Sequence, residues 1–212
     1  KTSNHISKII VHPSNSDVIW VAAQGPLWGS GGERGVYMTE DGGETWTRVL
    51  GGEEWTGATD LLIDPRDPDV LYAATWQRHR TVAAYMGGGP KSGIHKSTDG
   101  GKTWEKLKTG LPNERMGKIG LAISPQNPDV IYAAIELEMK KGGFFRSGNG
   151  GMSWEKKSDI ISGGTGPHYY QEIWASPHQF DRVYFANNYL KVTNDGGATF
   201  QGVGKQYKHV DN

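Results

Sequence analysis

Four times along 212 residues the chain writes the same pair of phrases. The first is an apolar run closed by Pro, with Asp four places on and an aromatic seven places on. It occurs at Pro13, Asp17 and Trp20; at Pro65, Asp69 and Tyr72; at Pro125, Asp129 and Tyr132; and at Pro177, Asp181 and Tyr184. The second is a glycine-rich box, "TEDGGETW" from Thr39, "STDGGKTW" from Ser97, "SGNGGMSW" from Ser147 and "TNDGGATF" from Thr193. A phrase pair that returns in fixed order means a supersecondary unit that stacks on copies of itself.

Each copy reads as four strands. "SKIIVHP" is an apolar run stopped by Pro, and "DVIWVAA" is a second β-rich run after a polar turn. In that turn Pro fixes φ, and the Asp is expected to bond nearby backbone amides. A third strand ("GVYMTE", "GIHKST", "GFFRSG", "LKVTN") leads into the box, whose Asp-Gly is a hairpin signal, and a fourth strand leaves it. No copy carries a helical period. The expected fold is all-β: β-propeller blades, four four-stranded repeats, at approximately 5–50, 57–108, 116–157 and 168–204 within a partial propeller over 1–212. The ends, "KTS" and "KHVDN", read as cuts in a longer chain. An open arc of blades exposes two apolar faces, so it is expected to meet more protein, further blades of the same chain.

Composition narrows the function classes. Lys+Arg and Asp+Glu both number 23, so the basic excess of a nucleic-acid binder is missing and no nucleic-acid partner is expected. Cys is zero, which excludes a disulfide framework, a zinc–cysteine site and a thiol nucleophile. No stretch reaches the length of a transmembrane segment. No zincin, phosphate-loop or triad motif is present, and neither a metal nor a cofactor is expected.

The boxes read as fold devices. Asp41, Asp99 and Asp195 would accept bonds from turn amides, with Asn149 in the same place; Trp46, Trp104, Trp154 and Phe200 would cover the turn with apolar area. Catalysis or metal binding is the competing role. Recurrence speaks against it, since an active site is built once and a turn is built in every blade. A calcium loop of the EF-hand kind would also need alternating acids that these boxes lack.

These boxes resemble the bacterial neuraminidase (BNR) or Asp-box repeat shared by sialidases, xyloglucan-degrading endoglucanases and sortilin-type receptors. "GPLWGSGGERGVYMTEDGGETW", "DLLIDPRDPDVLYAATWQR" and "PHYYQEIWASPHQFDRVY" are similar to long bacterial sortilin-like proteins, often labelled glycosyl hydrolase BNR repeat proteins. The resemblance implies a larger wheel of about seven blades and an extracytoplasmic location, whether periplasmic, cell-surface or secreted. The endoglucanase motif after an early strand has no counterpart in "AAQGPLWG", and the sialidase arginine motif is absent, so no catalytic residue carries over.

Function is expected on the loops that vary. From the Pro to the box position the copies measure 28, 34, 24 and 18 residues, and the difference lies in the loops between second and third strands. Those loops and the blade connections hold Trp28, Arg34, Trp55, Trp76, Arg78, His79, Arg80, Tyr85, His168 and Tyr169. The ligand or partner contacts are expected at Trp28, Trp76, Arg78, Arg80, Tyr85, His168 and Tyr169, with the glycine-rich end of the second loop giving an extended, adjustable path. Trp28 and Trp76 read equally well as plugs between blades. The expected function is an extracytoplasmic binding or scaffold module that engages a protein, peptide or glycan. The alternative is a glycoside hydrolase whose acids lie partly outside these residues; Asp60 and Glu172, equivalent on two first strands, are its candidates.

Overall fold

A computed structural model describes residues 5–137, 141–160, 171–186 and 189–204, and none of these is helical. Strands β1 (Ile6–His12), β2 (Asn15–Ala23), β3 (Gly35–Thr39) and β4 (Thr47–Leu50) form the first antiparallel sheet in chain order. The second uses β5 (Thr56–Asp64) and β6 (Asp67–Gln77), then a two-stranded ribbon β7 (His79–Arg80) and β8 (Tyr85–Met86), then β9 (Gly93–Ser97) and β10 (Glu105–Lys106). The third is β11 (Met116–Ile123), β12 (Ile131–Leu137), β13 (Lys141–Ser147) and β14 (Glu155–Ser158). The fourth is β15 (Glu172–Ala175), β16 (Val183–Ala186), β17 (Leu190–Thr193) and β18 (Gln201–Gly202). Four-stranded meanders are the blades of a β-propeller. They fall in two compact units, Lys1–Lys106 with the first two sheets and Leu107–Asn212 with the last two.

One hydrogen bond explains why the two phrases travel together. The amide of the first box glycine donates to the carbonyl of the turn Asp in all four sheets: Gly42 to Asp17 at 2.9 Å, Gly100 to Asp69 at 3.0 Å, Gly150 to Asp129 at 2.9 Å and Gly196 to Asp181 at 2.9 Å. Turn and box therefore close the same end of each sheet. The turn chemistry differs from expectation in one respect. The amide-capping side chain sits two residues before the Asp: Asn15, Asp67 and Asn127 accept from the amides of Asp17, Asp69 and Asp129. The turn Asp contributes its carbonyl.

Inside the box the carboxylate gathers donors. Asp99 accepts from the hydroxyls of Ser97 and Thr103 at 2.8 and 2.6 Å and from the amides of Lys102 and Thr103 at 3.0 and 2.9 Å. The Ser97 hydroxyl in turn accepts the Gly101 amide, and the Trp104 indole donates to the Gly101 carbonyl. The second glycine takes a positive φ, +83° at Gly101, which a side chain would strain. In the third sheet Asn149 keeps the pattern with one bond reversed, its amide donating to Ser153 at 2.8 Å. The Thr103 hydroxyl first, then its amide and Ser97, hold the Asp99 carboxyl at about 2; hydrogen bonds led by Thr193 hold Asp195 at about 2. Bonds led by Thr39 hold Asp41 below the ordinary carboxylate range.

The period of two decides how sheets stack. Ile10, Trp20 and Met38 stand side by side across the first sheet and face the second. There Ala58, Leu61, Leu71 and Ala73 complete a core, and the box residue Trp104 packs onto its edge. The Trp20 indole donates to the Gly100 carbonyl at 3.0 Å, so one sheet's aromatic is anchored in the next sheet's box. Gly57 on β5 permits the close approach of the chain just past β2: a Cβ there would lie 2.3 Å from the Gln24 carbonyl oxygen. The second unit repeats the scheme with Tyr132, Phe144, Ile173, Val183 and Phe185, and with the box residue Phe200 packed against them. Its anchor is the Tyr132 hydroxyl on Asp181 at 2.6 Å, with Arg146 on the same oxygen at 3.0 Å.

The box carboxylates set an acid limit. Their folded pKa values lie below the unfolded one, so their stabilisation is present above about pH 4 and is lost as pH falls toward 2. Asp99→Asn copies the Asn149 box and is expected to fold, with a shallower loss of melting temperature between pH 4 and 2. Thermal melts across that range check it; an unchanged slope contradicts it.

Candidate functional site

Five of the seven residues expected at the binding loops lie in the first unit, at the end of the sheets opposite the boxes. Strand β6 runs on past Gln77, and the Arg78 amide donates to the Trp55 carbonyl at 2.9 Å. The chain then folds back as the ribbon, with His79 opposite Met86 and Arg80 opposite Tyr85. Its turn closes through the Thr81 amide on the Ala84 carbonyl at 2.8 Å. The ribbon precedes the glycine-rich end of the loop. The Trp76 indole donates to the Gly87 carbonyl at 2.8 Å, which ties the ribbon to its own strand.

The shorter loop of the first sheet wraps around Arg34. Its guanidinium donates to the carbonyls of Gly31 (2.9 Å), Gln24 (3.1 Å), Gly29 (3.0 Å) and Pro26. Only a planar fork with five donors reaches four carbonyls at once. Arg78 donates to the Gly25 carbonyl at 3.1 Å, and the Arg80 amide to the Leu27 carbonyl at 3.1 Å, so ribbon and loop form one body.

Aromatic rings alternate with these cations. The Arg78 guanidinium lies 4.7 Å from the Trp76 ring centre and the Arg34 guanidinium 5.8 Å from Trp55. Trp55 and His79 have ring centres 3.7 Å apart. Arg80 lies near two rings, 5.1 Å from Trp28 and 5.9 Å from Tyr85. Such contacts contribute about 0.5–2 kcal/mol each, more as water is excluded.

Burial divides the cluster. Trp76, Arg34 and Arg78 are interior, whereas Trp28 is 59% exposed and Tyr85 39%. Trp76 and Arg78 therefore pack beneath the surface, and Trp28, Arg80 and Tyr85 carry the face that solvent reaches. His168 and Tyr169 lie outside the described residues. Among the described residues neither Arg34 nor Arg78 pairs with a carboxylate. Burial, then the neighbouring Arg34 charge, pushes Arg78 down to about 10, so it stays charged at neutral pH. Burial lowers Arg34 as well. Thr56 Oγ1, Arg78 Nε and His79 Nδ1, all at this end of the second sheet, are buried without a hydrogen-bond partner. The cluster is thus a net positive, partly unsatisfied interior under an aromatic surface. Two grooves lie elsewhere, one along the first box (Thr39, Asp41, Thr45, Lys102) and one on the outer face of the first sheet.

The part played by Trp55 and His79 in stacking, and by Arg34 in shaping the loop, was not legible in the sequence beyond their place in variable loops. The one available signal was an arginine two residues after a Gly-Gly pair. Asp60 and Glu172 lie one in each unit. Asp60 is buried, accepts the Leu61 amide at 2.9 Å and stands 3.8 Å from the Lys8 ammonium. Among the described residues no three His, Asp or Glu side chains gather as a metal site.

Arg34→Lys keeps the charge and loses the fork. It is expected to speed amide exchange across residues 25–32 and to lower the melting temperature, while residues 95–106 keep their protection. Exchange measured by mass spectrometry checks this; unchanged exchange in 25–32 contradicts it.

Comparison with known proteins agrees with this architecture. The BNR/Asp-box repeat model matches residues 95–106, which hold the second box. The xyloglucanase Xgh74A of Acetivibrio thermocellus is 30% identical over 142 residues, covering 62% of this chain and 16% of its own. The vacuolar protein sorting/targeting protein 10 of Colletotrichum graminicola is 27% identical over 188 residues, covering 76% of this chain and 11% of its own. Among solved structures, the GH74 xyloglucanase from Xanthomonas campestris superposes with a TM-score of 0.67 at 15% identity, over 91% of this chain and 28% of that one. The chain thus spans 13% and 16% of the lengths of the first two xyloglucanases it matches. With four boxes latched to four turns on four-stranded meanders, the chain is built of β-propeller blades and carries the BNR/Asp-box repeat at residues 95–106.

Proposed function

We propose that this chain is an extracytoplasmic binding module, an arc of a larger propeller, that holds a carboxylate-bearing glycan or peptide at the loop end of its first unit. One observation carries the reading: the Arg80 guanidinium lies 5.1 Å from the Trp28 ring and 5.9 Å from the Tyr85 ring, in one loop cluster with two buried arginines that no carboxylate neutralises. A guanidinium beside aromatic rings suits a carboxylate, to which its N–H groups donate in parallel hydrogen bonds. The exposed Trp28 face suits the flat side of a sugar ring or an apolar side chain. Arg78 and Arg34 add positive potential from a low-dielectric interior, where it is screened least. The extracytoplasmic placement rests on the resemblance to long exported Asp-box proteins.

The second reading, a glycoside hydrolase, draws on the xyloglucanase relatives. A hydrolase needs two carboxylates across one cleft. Asp60 is committed to the Leu61 amide inside the first unit, and Glu172 belongs to the second.

Calorimetric titration of the 212-residue chain with galacturonate oligomers, a glutamate-rich peptide and neutral xyloglucan oligosaccharides separates the cases. Saturable binding of an acidic probe is expected, weakened about tenfold or more by Trp28→Ala or Arg80→Ala, with Asp99→Asn binding as the parent does. Binding indifferent to both loop variants overturns the proposal. Release of reducing ends from xyloglucan favours the hydrolase.

A further inference from the structure

The third box differs from the others in its central residue, which is an amide. Asn149 is followed by Gly150, and this is the one Asn-Gly pair in the chain. Asparagine is among the thermolabile residues, and a following glycine makes it more so. The glycine nitrogen has no side chain to crowd it, and it lies one ring closure away from the carboxamide carbon. In the other boxes Asp41, Asp99 and Asp195 stand before the glycine. An ionised carboxylate is a poor electrophile and has no ammonia to expel, so the same closure is far slower there.

The fold restrains both reacting groups. The Gly150 nitrogen must lose its proton to attack, and that proton is donated to the Asp129 carbonyl at 2.9 Å, the latch of the third sheet. The carboxamide is held separately. Its oxygen accepts the Ser147 hydroxyl and the Ser153 amide, each at 2.9 Å, and its nitrogen donates to the Ser153 hydroxyl at 2.8 Å. Water is close at hand: Asn149 and Gly150 are half-buried, and Gly148 and Met152 are exposed. A hydrogen-bonded amide gives up its proton when the structure around it opens.

We infer that Asn149 is a self-modification site governed by the latch. When the latch opens, the Gly150 nitrogen attacks the Asn149 carboxamide carbon. The new C–N bond closes a five-membered succinimide, and the carboxamide nitrogen leaves as ammonia, taking up the proton that the Gly150 amide has lost. Water then opens the ring at one of two bonds. Cleavage at the side-chain carbon leaves aspartate, the residue that the other three boxes already have. Cleavage at the main-chain carbon leaves isoaspartate, in which the chain runs through the side chain and is one carbon longer. The Gly150 amide then no longer falls opposite the Asp129 carbonyl. An opening that goes to reaction thus ends either in the common form of the box or in a third sheet that cannot be latched again. The chemistry is independent of the loop end of the first unit.

The 212-residue chain is held in mildly alkaline buffer, folded and also unfolded in guanidinium chloride. The peptide that carries residue 149 is followed by mass spectrometry that separates aspartate from isoaspartate. Conversion is expected in the unfolded chain and at least about tenfold more slowly in the folded one, where its rate follows hydrogen exchange of the Gly150 amide. Ser147→Ala removes the hydroxyl that bonds the carboxamide and the Asn149 and Gly151 amides, and is expected to speed conversion severalfold toward the unfolded rate. If that variant does not fold, sub-denaturing guanidinium takes its place and is expected to raise exchange at Gly150 and conversion together. After refolding, the Gly150 amide is expected to be protected in the aspartate product, which Asn149→Asp reproduces, and unprotected in the isoaspartate product. An Asn149 that stays intact in the unfolded chain overturns the inference, as do equal rates in the folded and unfolded chains. So does a folded Ser147→Ala chain that converts no faster than the parent, sub-denaturing guanidinium that raises exchange without conversion, or equal protection of Gly150 in the two products.

Discussion

A main-chain hydrogen bond of 2.9–3.0 Å, from the first box glycine to the carbonyl of the turn Asp, closes the same end of all four sheets. It joins the hairpin of the first two strands to the hairpin of the last two. One such bond adds only about 1 kcal/mol net, but it fixes where the box sits. The rest follows from that placement. The box carbonyl at Gly100 receives the Trp20 indole, and Asp181, whose carbonyl is the acceptor in the fourth sheet, also receives the Tyr132 hydroxyl and Arg146. Sheet-to-sheet anchoring is therefore built on a bond whose donor and acceptor belong to the backbone. Asn149 serves where the other boxes have Asp because its carboxamide oxygen still accepts from Ser147 and Ser153 and its amide donates to the Ser153 hydroxyl.

The opposite end of the first unit is organised by charge. Two arginines without carboxylate partners are an uncommon content for an interior, since each loses hydration. Arg34 recovers it from four carbonyl dipoles, and Arg78 from one carbonyl and the Trp76 ring. The positive charge is thus solvated by the protein and remains uncancelled. A chain with a formal net charge of zero still holds two such guanidinium charges in the interior of its first unit. The chain-wide balance and the local field answer different questions.

The repeats were legible because their chemistry is demanding. Positive φ at Gly100 and Gly101, a hydroxyl at Ser97 and a carboxylate at Asp99 leave few substitutes, so the box shows in the letters. The strand order followed from it. The loops were less legible, because their bonds end on backbone carbonyls, which every residue has. Nothing in "QGPLWGSGGER" marks four of its carbonyls as neighbours of Arg34. Trp28 and Trp76 stand in similar loop-edge contexts, and only the ribbon that brings Gly87 to the Trp76 indole buries one and leaves the other in water. The turn Asp residues make the latch through their carbonyls, which the letters do not show, and Asp181 uses its carboxylate as well.

The latch has a consequence for how such a chain changes over generations. With one end of each sheet pinned, length added at the other end lengthens a loop whose closure is already secured. Doubling a flexible loop adds only about 0.6 kcal/mol of closure entropy. Inheritance can then treat the two ends as separate ledgers of variation. The Pro-to-box distance ranges from 18 to 34 residues while the latch stays between 2.9 and 3.0 Å. New specificity is drafted at the free end by insertion, and the pinned end carries the duplicated blade forward intact.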